Sequence, residues 1–181
     1  MLASVVMIHD EWVGVAQAVA ATLCFSTGAV LVRWAGDLSP VEVTSLRLLL
    51  AAVFVGAAAR AAGERLRLAA AEWARLAPIG LVAAGHFLSF IASLYYTTVA
   101  HALTLTYTAP LFIAALSWRV LKEPLPRRAL PGAAVALIGV GVLAGFEPRL
   151  DRRMLVGDAL AVVAAVTFAL YSLLGRRERG R

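Results

Sequence analysis

Six long apolar segments constrain this chain more than any other feature. They cover residues 12–34, 41–59, 75–97, 100–121, 130–146 and 155–174. A helix crosses a bilayer with about 20 apolar residues, so each segment can span, the fifth only just. Strands of a membrane barrel would be about half as long and would alternate in polarity, which these segments do not. The sequence therefore predicts an all-α integral membrane protein with six transmembrane helices.

The composition supports this class and excludes others. The chain is 61% hydrophobic and 15% charged, which leaves too little polar material to coat a soluble domain of 181 residues. The net charge of +6 suggests nucleic acid, but the basic residues lie in clusters between apolar segments, not along one exposed face. Cys24 is the only cysteine, which excludes an internal disulfide and a cysteine-based metal cluster. We expect neither a metal nor a cofactor.

The basic clusters predict how the chain crosses the membrane. With the N-terminus inside, the cytoplasmic loops carry twelve basic residues and the outer loops four, as the positive-inside rule requires. Residues 1–11 then form a cytoplasmic N-terminus, which lacks the basic region of a secretory signal, and residues 175–181 form a basic cytoplasmic tail. We expect a multi-pass protein of the plasma or inner membrane with both termini cytoplasmic.

An internal repeat relates the first and sixth segments. A shift of 143 residues matches Gly14 with Gly157, Phe25 with Phe168 and Arg33 with Arg176 in one ungapped register, along with several Ala and Val pairs. Segment six then opens a second copy of a five-helix unit. Because five is odd, the second copy would run inverted through the membrane, as in many secondary transporters. We expect a complete second copy to need about four further helices.

Segment three carries a polar row at membrane depth. His86, Ser89 and Ser93 stand at positions i, i+3 and i+7, on one face of a helix. Polar side chains inside a bilayer usually face a bundle interior or a water-filled path, so this row is a candidate lining of a substrate site. Helix packing is the alternative. For proton coupling, His86 is the best internal titrating candidate, with a histidine reference pKa of about 6.5.

Segment four repeats this pattern. His101, Thr104 and Thr108 stand again at positions i, i+3 and i+7, with Tyr107 beside them. Pro110 lacks an amide hydrogen and clashes with the carbonyl of Thr106, which predicts a kink and a possible hinge. The freed carbonyl can serve a ligand or be satisfied by a hydroxyl or water. His101 lies near the outer end, where we expect it to be interfacial.

Arg47 lies inside segment two, where an arginine needs a partner or must reach the interface. Glu42 stands at the poor spacing of five residues, so a partner from another helix is equally plausible. Gly141 and Gly145 form a GxxxG motif suited to close helix packing. No nucleophile with its base, HExxH motif or paired aspartates is recognisable, so we expect no enzymatic activity.

Two stretches resemble the EamA domain of the drug/metabolite transporter superfamily. The first is PVEVTSLRLLLAA, in which Pro40 and Arg47 match the start of that family's second helix. The second spans residues 101–145, where a central proline, a tryptophan, a glutamate turn and a glycine-rich helix follow in the family's order. The matching residues are Pro110, Trp118, Glu123, Gly132, Gly139 and Gly141. Lys122 stands where a glycine commonly precedes the glutamate.

The resemblance implies a carrier that exports or exchanges small metabolites through a cavity between two inverted EamA repeats. Residues 12–146 would form one repeat of five helices, and residues 155–174 the first helix of the second repeat. The partners implied are a small-molecule substrate, the lipid bilayer and a second EamA half or another copy of the chain. A truncated, non-transporting membrane subunit or scaffold is the alternative function.

Overall fold

A computed structural model describes residues 2–64, 69–122, 129–145 and 151–179. The regular structure in these ranges is helical throughout. The helices are α1 (Leu2–Arg33), α2 (Pro40–Ala61), α3 (Ala70–Tyr96), α4 (Val99–Thr106), α5 (Ala109–Leu116), a π-helical turn (Ser117–Leu121), α6 (Ala129–Gly145) and α7 (Arg152–Arg179). The predicted all-α membrane fold is confirmed.

Within the described residues, five helices are long and apolar enough to cross a membrane. They are Trp12–Arg33, Pro40–Ala61, Ala70–Tyr96, Val99–Arg119 and Arg152–Glu178. The remaining predicted segment, the fifth, corresponds to α6, whose 17 residues are just short of the usual length. This is the segment that the sequence predicts to be only just long enough to span the membrane.

The chain divides into two compact units, residues 1–36 and residues 37–181. The first unit consists of α1 and the turn after it, in which Gly36 adopts a φ of 68° that favours glycine. Helix α1 begins at Leu2, so helical structure extends through most of the predicted N-terminal tail. The second unit contains α2 to α7.

Helix α2 begins at a capping box. The Ser39 hydroxyl accepts a hydrogen bond from the Glu42 amide, and the Glu42 carboxylate accepts one from the Ser39 amide. Pro40 occupies the first helical turn, where its missing amide hydrogen costs nothing. Ser39 and Pro40, which lie between segments one and two, therefore determine where α2 begins.

The core of the second unit is an antiparallel pair formed by α3 and α7. The face of α7 that packs inward is a row of small residues with a spacing of four, Gly157, Ala161, Ala165 and Ala169, and all four are buried. A Cβ on Gly157 would lie 2.6 Å from the amide nitrogen of Thr97. Small residues allow helix backbones to approach this closely in a membrane.

The α3–α7 pairing also constrains the topology. The last residues of α3 contact the first residues of α7, so the intervening chain leaves and returns to the same end of the pair. That return requires an even number of crossings. The predicted alternation of segments four and five would meet this requirement.

The fourth span is a broken helix. Helix α4 ends at Thr106, and α5 starts at Ala109 with Pro110 in its first turn. Because proline has no amide hydrogen to donate to the Thr106 carbonyl, the α-helical ladder cannot continue through this point. The distortion predicted from Pro110 is thus confirmed. The π-helical turn then ends at Lys122, whose φ of 55° is the left-handed conformation that glycine adopts most easily.

Candidate functional site

His86 lies buried in the middle of α3, where it contacts α7. Its Nδ1 is 2.8 Å from the carbonyl oxygen of Ala164. A carbonyl only accepts hydrogen bonds, so the geometry assigns a hydrogen to Nδ1. The Thr167 hydroxyl donates to the same carbonyl at 3.1 Å. The Ala164 carbonyl oxygen of α7 is therefore a hydrogen-bond acceptor shared by two side chains at membrane depth.

Aromatic side chains surround the His86 ring. Its centroid lies 5.1 Å from that of Phe87, 5.2 Å from that of Phe168 and 5.8 Å from that of Tyr171. Phe168 and Tyr171 themselves meet edge to face at 5.1 Å. Such edge contacts suit the quadrupoles of the rings. We call His86, Phe87, Phe168, Tyr171 and Arg47 the His86 cluster.

Arg47 joins the cluster from α2. Its guanidinium carbon lies 5.1 Å from the centroid of the Phe87 ring, within cation–π distance. The Glu42 carboxylate, in contrast, is engaged in the capping box of α2. The sequence left open whether a partner would come from Glu42 or from another helix, and the structure supplies an aromatic partner from α3.

The two serines of the α3 row differ from His86. Ser93 is fully buried, and its hydroxyl donates to the Phe90 carbonyl of the same helix at 2.7 Å. Ser89 is half-buried. Within the row, the His86 ring forms a polar contact to the backbone of another helix, as the packing interpretation predicts. A role of this row in lining a substrate path stays a prediction.

The polar residues of the fourth span cluster around its break. Thr108 is buried, and its hydroxyl donates to the Leu105 carbonyl at 2.6 Å. Thr104 is half-buried, whereas Tyr107, at the break itself, is 63% exposed. Pro110 is also exposed. The break therefore presents an exposed tyrosine near the middle of a 21-residue span.

The remaining predicted residues take no part in these clusters. Trp118 lies in the π-helical turn and is exposed. Glu123 lies outside the described residues. A Cβ on Gly141 of the GxxxG motif would meet no described atom within 4 Å, so the described helices do not use this position for close packing. In the described ranges, no three His, Cys, Asp or Glu side chains converge as metal ligands.

A second polar cluster joins three helices where α3 ends and α7 begins. The Thr97 hydroxyl donates to Asp158 Oδ1 at 2.6 Å, and His101 Nδ1 lies 3.2 Å from Asp158 Oδ2. The side chains of His101 and Asp158 are 4% and 18% exposed. We call Thr97, His101 and Asp158 the Asp158 cluster. It ties α3, α4 and α7 together.

Further hydrogen bonds surround the Asp158 cluster. The Tyr95 hydroxyl donates to the Leu38 carbonyl at 2.6 Å, and Arg153 donates to the Tyr95 carbonyl at 3.0 Å. The Arg153 guanidinium carbon also lies 5.9 Å from the centroid of the Tyr96 ring. These contacts link the start of α2 and the start of α7 to the end of α3.

The sequence interpretation missed the Asp158 cluster. It placed His101 near the outer end of its segment, expected it to be interfacial, and assigned Asp158 no role. The structure instead buries His101 against Asp158. The predicted topology could have indicated this cluster, because alternating spans bring the start of segment four and the start of segment six to the same side of the membrane.

Comparison with known proteins agrees with this architecture. The profile of the EamA-like transporter family matches residues 12–145, about three quarters of the chain. The match includes Arg47, His86 and the broken fourth span, while α7 lies beyond it. No curated protein and no solved structure is significantly similar to the chain. The chain is therefore a multi-pass membrane protein that belongs to the EamA-like transporter family.

Proposed function

We propose that this protein is a secondary transporter that exports or exchanges small metabolites by alternating access. The observation that carries the proposal is the broken fourth span. Transporters commonly use discontinuous helices near the bilayer midplane, where free backbone groups and helix ends meet the substrate. The break at Tyr107 and Thr108 lies near the middle of the Val99–Arg119 span, and it carries an exposed tyrosine.

In this proposal, the substrate path runs beside the break and the polar row of α3. Tyr107, Thr104 and Ser89 offer hydroxyl groups to the substrate, and Pro110 permits bending between α4 and α5. His86 and Arg47 give the path a polar flank at membrane depth. Helices that rock about such a point can expose the path first to one side and then to the other.

Alternating access also needs a second unit to rock against. We propose that a second EamA unit, from another copy of the chain or from an inverted half, packs against the exposed Tyr107 face. Chemical crosslinking in native membranes, followed by mass measurement, should yield a species of at least twice 19.1 kDa. A chain that stays an uncrosslinked, heat-stable monomer would favour a self-contained six-helix protein.

The proposed orientation places both termini in the cytoplasm of a cell with this protein in its plasma or inner membrane. In a Cys24→Ser background, a membrane-impermeant thiol reagent should label Asp37→Cys in intact cells. It should label Glu64→Cys only after permeabilisation. Both positions are exposed in loops at opposite ends of α2. The reverse labelling pattern would overturn the orientation and leave the transport proposal standing.

Transport itself can be tested without knowing the substrate. Mass spectrometry of the culture medium should show at least one small metabolite enriched severalfold when the protein is expressed. His86→Leu should remove that enrichment, because leucine keeps apolar bulk and loses the ring nitrogens. Leu81→Ala is the matched control, since Leu81 lies on the same helix and is exposed on the apolar surface. Identical media with and without the protein would favour a non-transporting subunit or scaffold.

A further inference from the structure

We propose that the His86 cluster binds an organic anion, and that Arg47 selects anions over neutral and cationic substrates. The inference rests on the proposed function, because it names the substrate class of the same path. That class is a carboxylate or sulfonate on a planar, apolar body. The Arg47 guanidinium holds the acid group, and the aromatic rings of the cluster contact the body.

Arg47 carries its charge well inside the membrane span. The start of α2 and the end of α3 lie side by side, since the Tyr95 hydroxyl donates to the Leu38 carbonyl. Arg47 lies seven residues after the start of α2, and Phe87 lies nine residues before the end of α3. At about 1.5 Å per residue, both lie roughly 10–13 Å from that end. The contact of 5.1 Å between the guanidinium carbon and the Phe87 ring therefore keeps the charge at this depth, away from the membrane surface.

The sign of this charge selects the substrate. A guanidinium stays protonated at physiological pH, and it binds oxyanions through parallel hydrogen bonds. The acidic residues of the chain all lie at or beyond the ends of the spans, because no Asp or Glu occurs in residues 12–36, 43–63, 73–122, 124–146 or 159–177. Asp158 itself lies level with Thr97, ten residues along the chain from Phe87. A path beside Arg47 therefore has a positive field that attracts an anion and repels a cation.

The aromatic rings beside Arg47 define the rest of the substrate. Phe87, Phe168 and Tyr171 are half-buried, and their centroids lie 5.1 Å, 5.2 Å and 5.8 Å from that of the buried His86 ring. Such rings offer faces and edges that suit another planar group. A sugar or polyol would place hydroxyl groups against these rings without hydrogen-bond partners, which is costly. The cluster therefore fits an anion with an aromatic or similarly planar body.

Binding can be measured in the full chain before the natural substrate is known. Three probes share a phenyl ring and differ in charge: benzenesulfonate is an anion, benzenesulfonamide is neutral and benzyltrimethylammonium is a cation. In nanodiscs of neutral phosphatidylcholine, equilibrium dialysis against empty nanodiscs should show saturable binding of benzenesulfonate. We expect this binding to be about tenfold tighter, or more, than that of either other probe. Equal binding of all three probes, or binding of none, would overturn the proposal.

Arg47→Gln removes the charge and keeps a polar side chain. It should weaken benzenesulfonate binding by about tenfold or more and leave benzenesulfonamide binding unchanged. Arg47→Lys keeps the charge without the planar fork, so it should retain a preference for the anion at lower affinity. Arg60→Gln is the matched control, because it makes the same change at an exposed position of the same helix, and it should bind as the wild type does.

A folded Arg47→Gln protein that still prefers the anion would overturn the role of Arg47. The wild-type comparison of the three probes decides the anion class whether or not this variant folds. Phosphatidylglycerol added at high salt, where surface charge is screened, should not compete with benzenesulfonate. Competition would assign Arg47 to a lipid headgroup and overturn the proposal.

The role in transport has a separate readout. Proteoliposomes loaded with the probes should release benzenesulfonate faster than benzyltrimethylammonium, and Arg47→Gln should abolish this difference. Transport of the cation or of a neutral compound alone would overturn the anion class and leave the transporter. Arg47-dependent binding of benzenesulfonate without any transport would overturn the proposed function and leave the anion site.

Discussion

The two ends of the α3–α7 pair are held together by very different contacts. At the Asp158 end, a tight glycine contact, a hydrogen bond from Thr97 to the partly buried Asp158 carboxylate and an arginine bonded to the Tyr95 carbonyl join the helices. At the other end, Arg75 and Glu178 form an ion pair at 3.9 Å, with the Arg75 side chain 47% exposed. Exposed pairs at this distance contribute little to stability. The described polar contacts at the Asp158 end are therefore less exposed than the ion pair at the other end.

This contrast bears on the proposed alternation between two open states. An end held by desolvated polar bonds opens only when those bonds are exchanged for water, and such an end can respond to a ligand. An end held by an exposed ion pair opens at little cost. The predictions below test whether the two ends differ as the contacts indicate.

The largest effect is expected from Gly157→Leu. A Cβ at this position would lie 2.6 Å from the Thr97 amide nitrogen and 2.8 Å from the Tyr96 carbonyl carbon, so the helices must move apart. Overpacking typically costs about 1–3 kcal/mol, and more where backbone atoms cannot yield, as here. Size-exclusion chromatography and thermal melting in detergent should show aggregation or a large loss of stability.

Gly141→Leu is the control for that substitution. It makes the same change in α6, where an added Cβ meets no described atom within 4 Å. We expect its elution and melting temperature to match those of the wild type. Equal damage from both substitutions would mean that leucine harms these helices generally, and that the close contact at Gly157 has no special importance.

A smaller effect separates the two ends directly. Asp158→Ala removes the acceptor of the Thr97 hydroxyl and the His101 ring, and each buried donor left unsatisfied costs about 1–3 kcal/mol. Arg75→Ala removes an exposed ion pair and should cost less than about 1 kcal/mol. Melting temperatures of the two variants measured at pH 7 decide the matter, and a larger loss for Arg75→Ala would reverse the comparison.

The smallest effect is expected from Tyr95→Phe, which lies beside the Asp158 cluster. Tyr95→Phe removes the hydroxyl that donates to the Leu38 carbonyl and should cost about 1 kcal/mol. Tyr96→Phe keeps the ring that lies beside Arg153 and should change stability by much less. Denaturant titration of both variants tests the difference, and equal stabilities would show that the Leu38 bond adds nothing to this end.

The sequence predicted the features that depend on local chemistry. The lengths of the apolar segments predicted the spans, and Pro110 predicted the break in the fourth span. The poor spacing of Glu42 and Arg47 made a partner from another helix plausible. The predicted cavity role of His86, Ser89 and Thr104 is still a prediction, because their contacts in one conformation do not define a transport path.

The features that escaped prediction depend on which helices are neighbours. His101 and Asp158 are 57 residues apart, and neither residue carries a local signal for the other. The small-residue row of α7 has a regular spacing of four, but alanine is so common in this chain that the spacing alone is weak evidence. Once α3 and α7 are known to pair in antiparallel fashion, both features follow from geometry.

The central claim is that the two ends of the α3–α7 pair open alternately during transport. Double electron–electron resonance can measure this in nanodiscs, in a Cys24→Ser background with spin labels at exposed positions. One pair, at Ala100 and Leu155, reports on the Asp158 end, and another, at Trp73 and Arg177, reports on the opposite end. On addition of the exported metabolite, we expect the first distance to lengthen in part of the population while the second shortens. Distances that stay unchanged at both ends, with transport intact, would contradict the account.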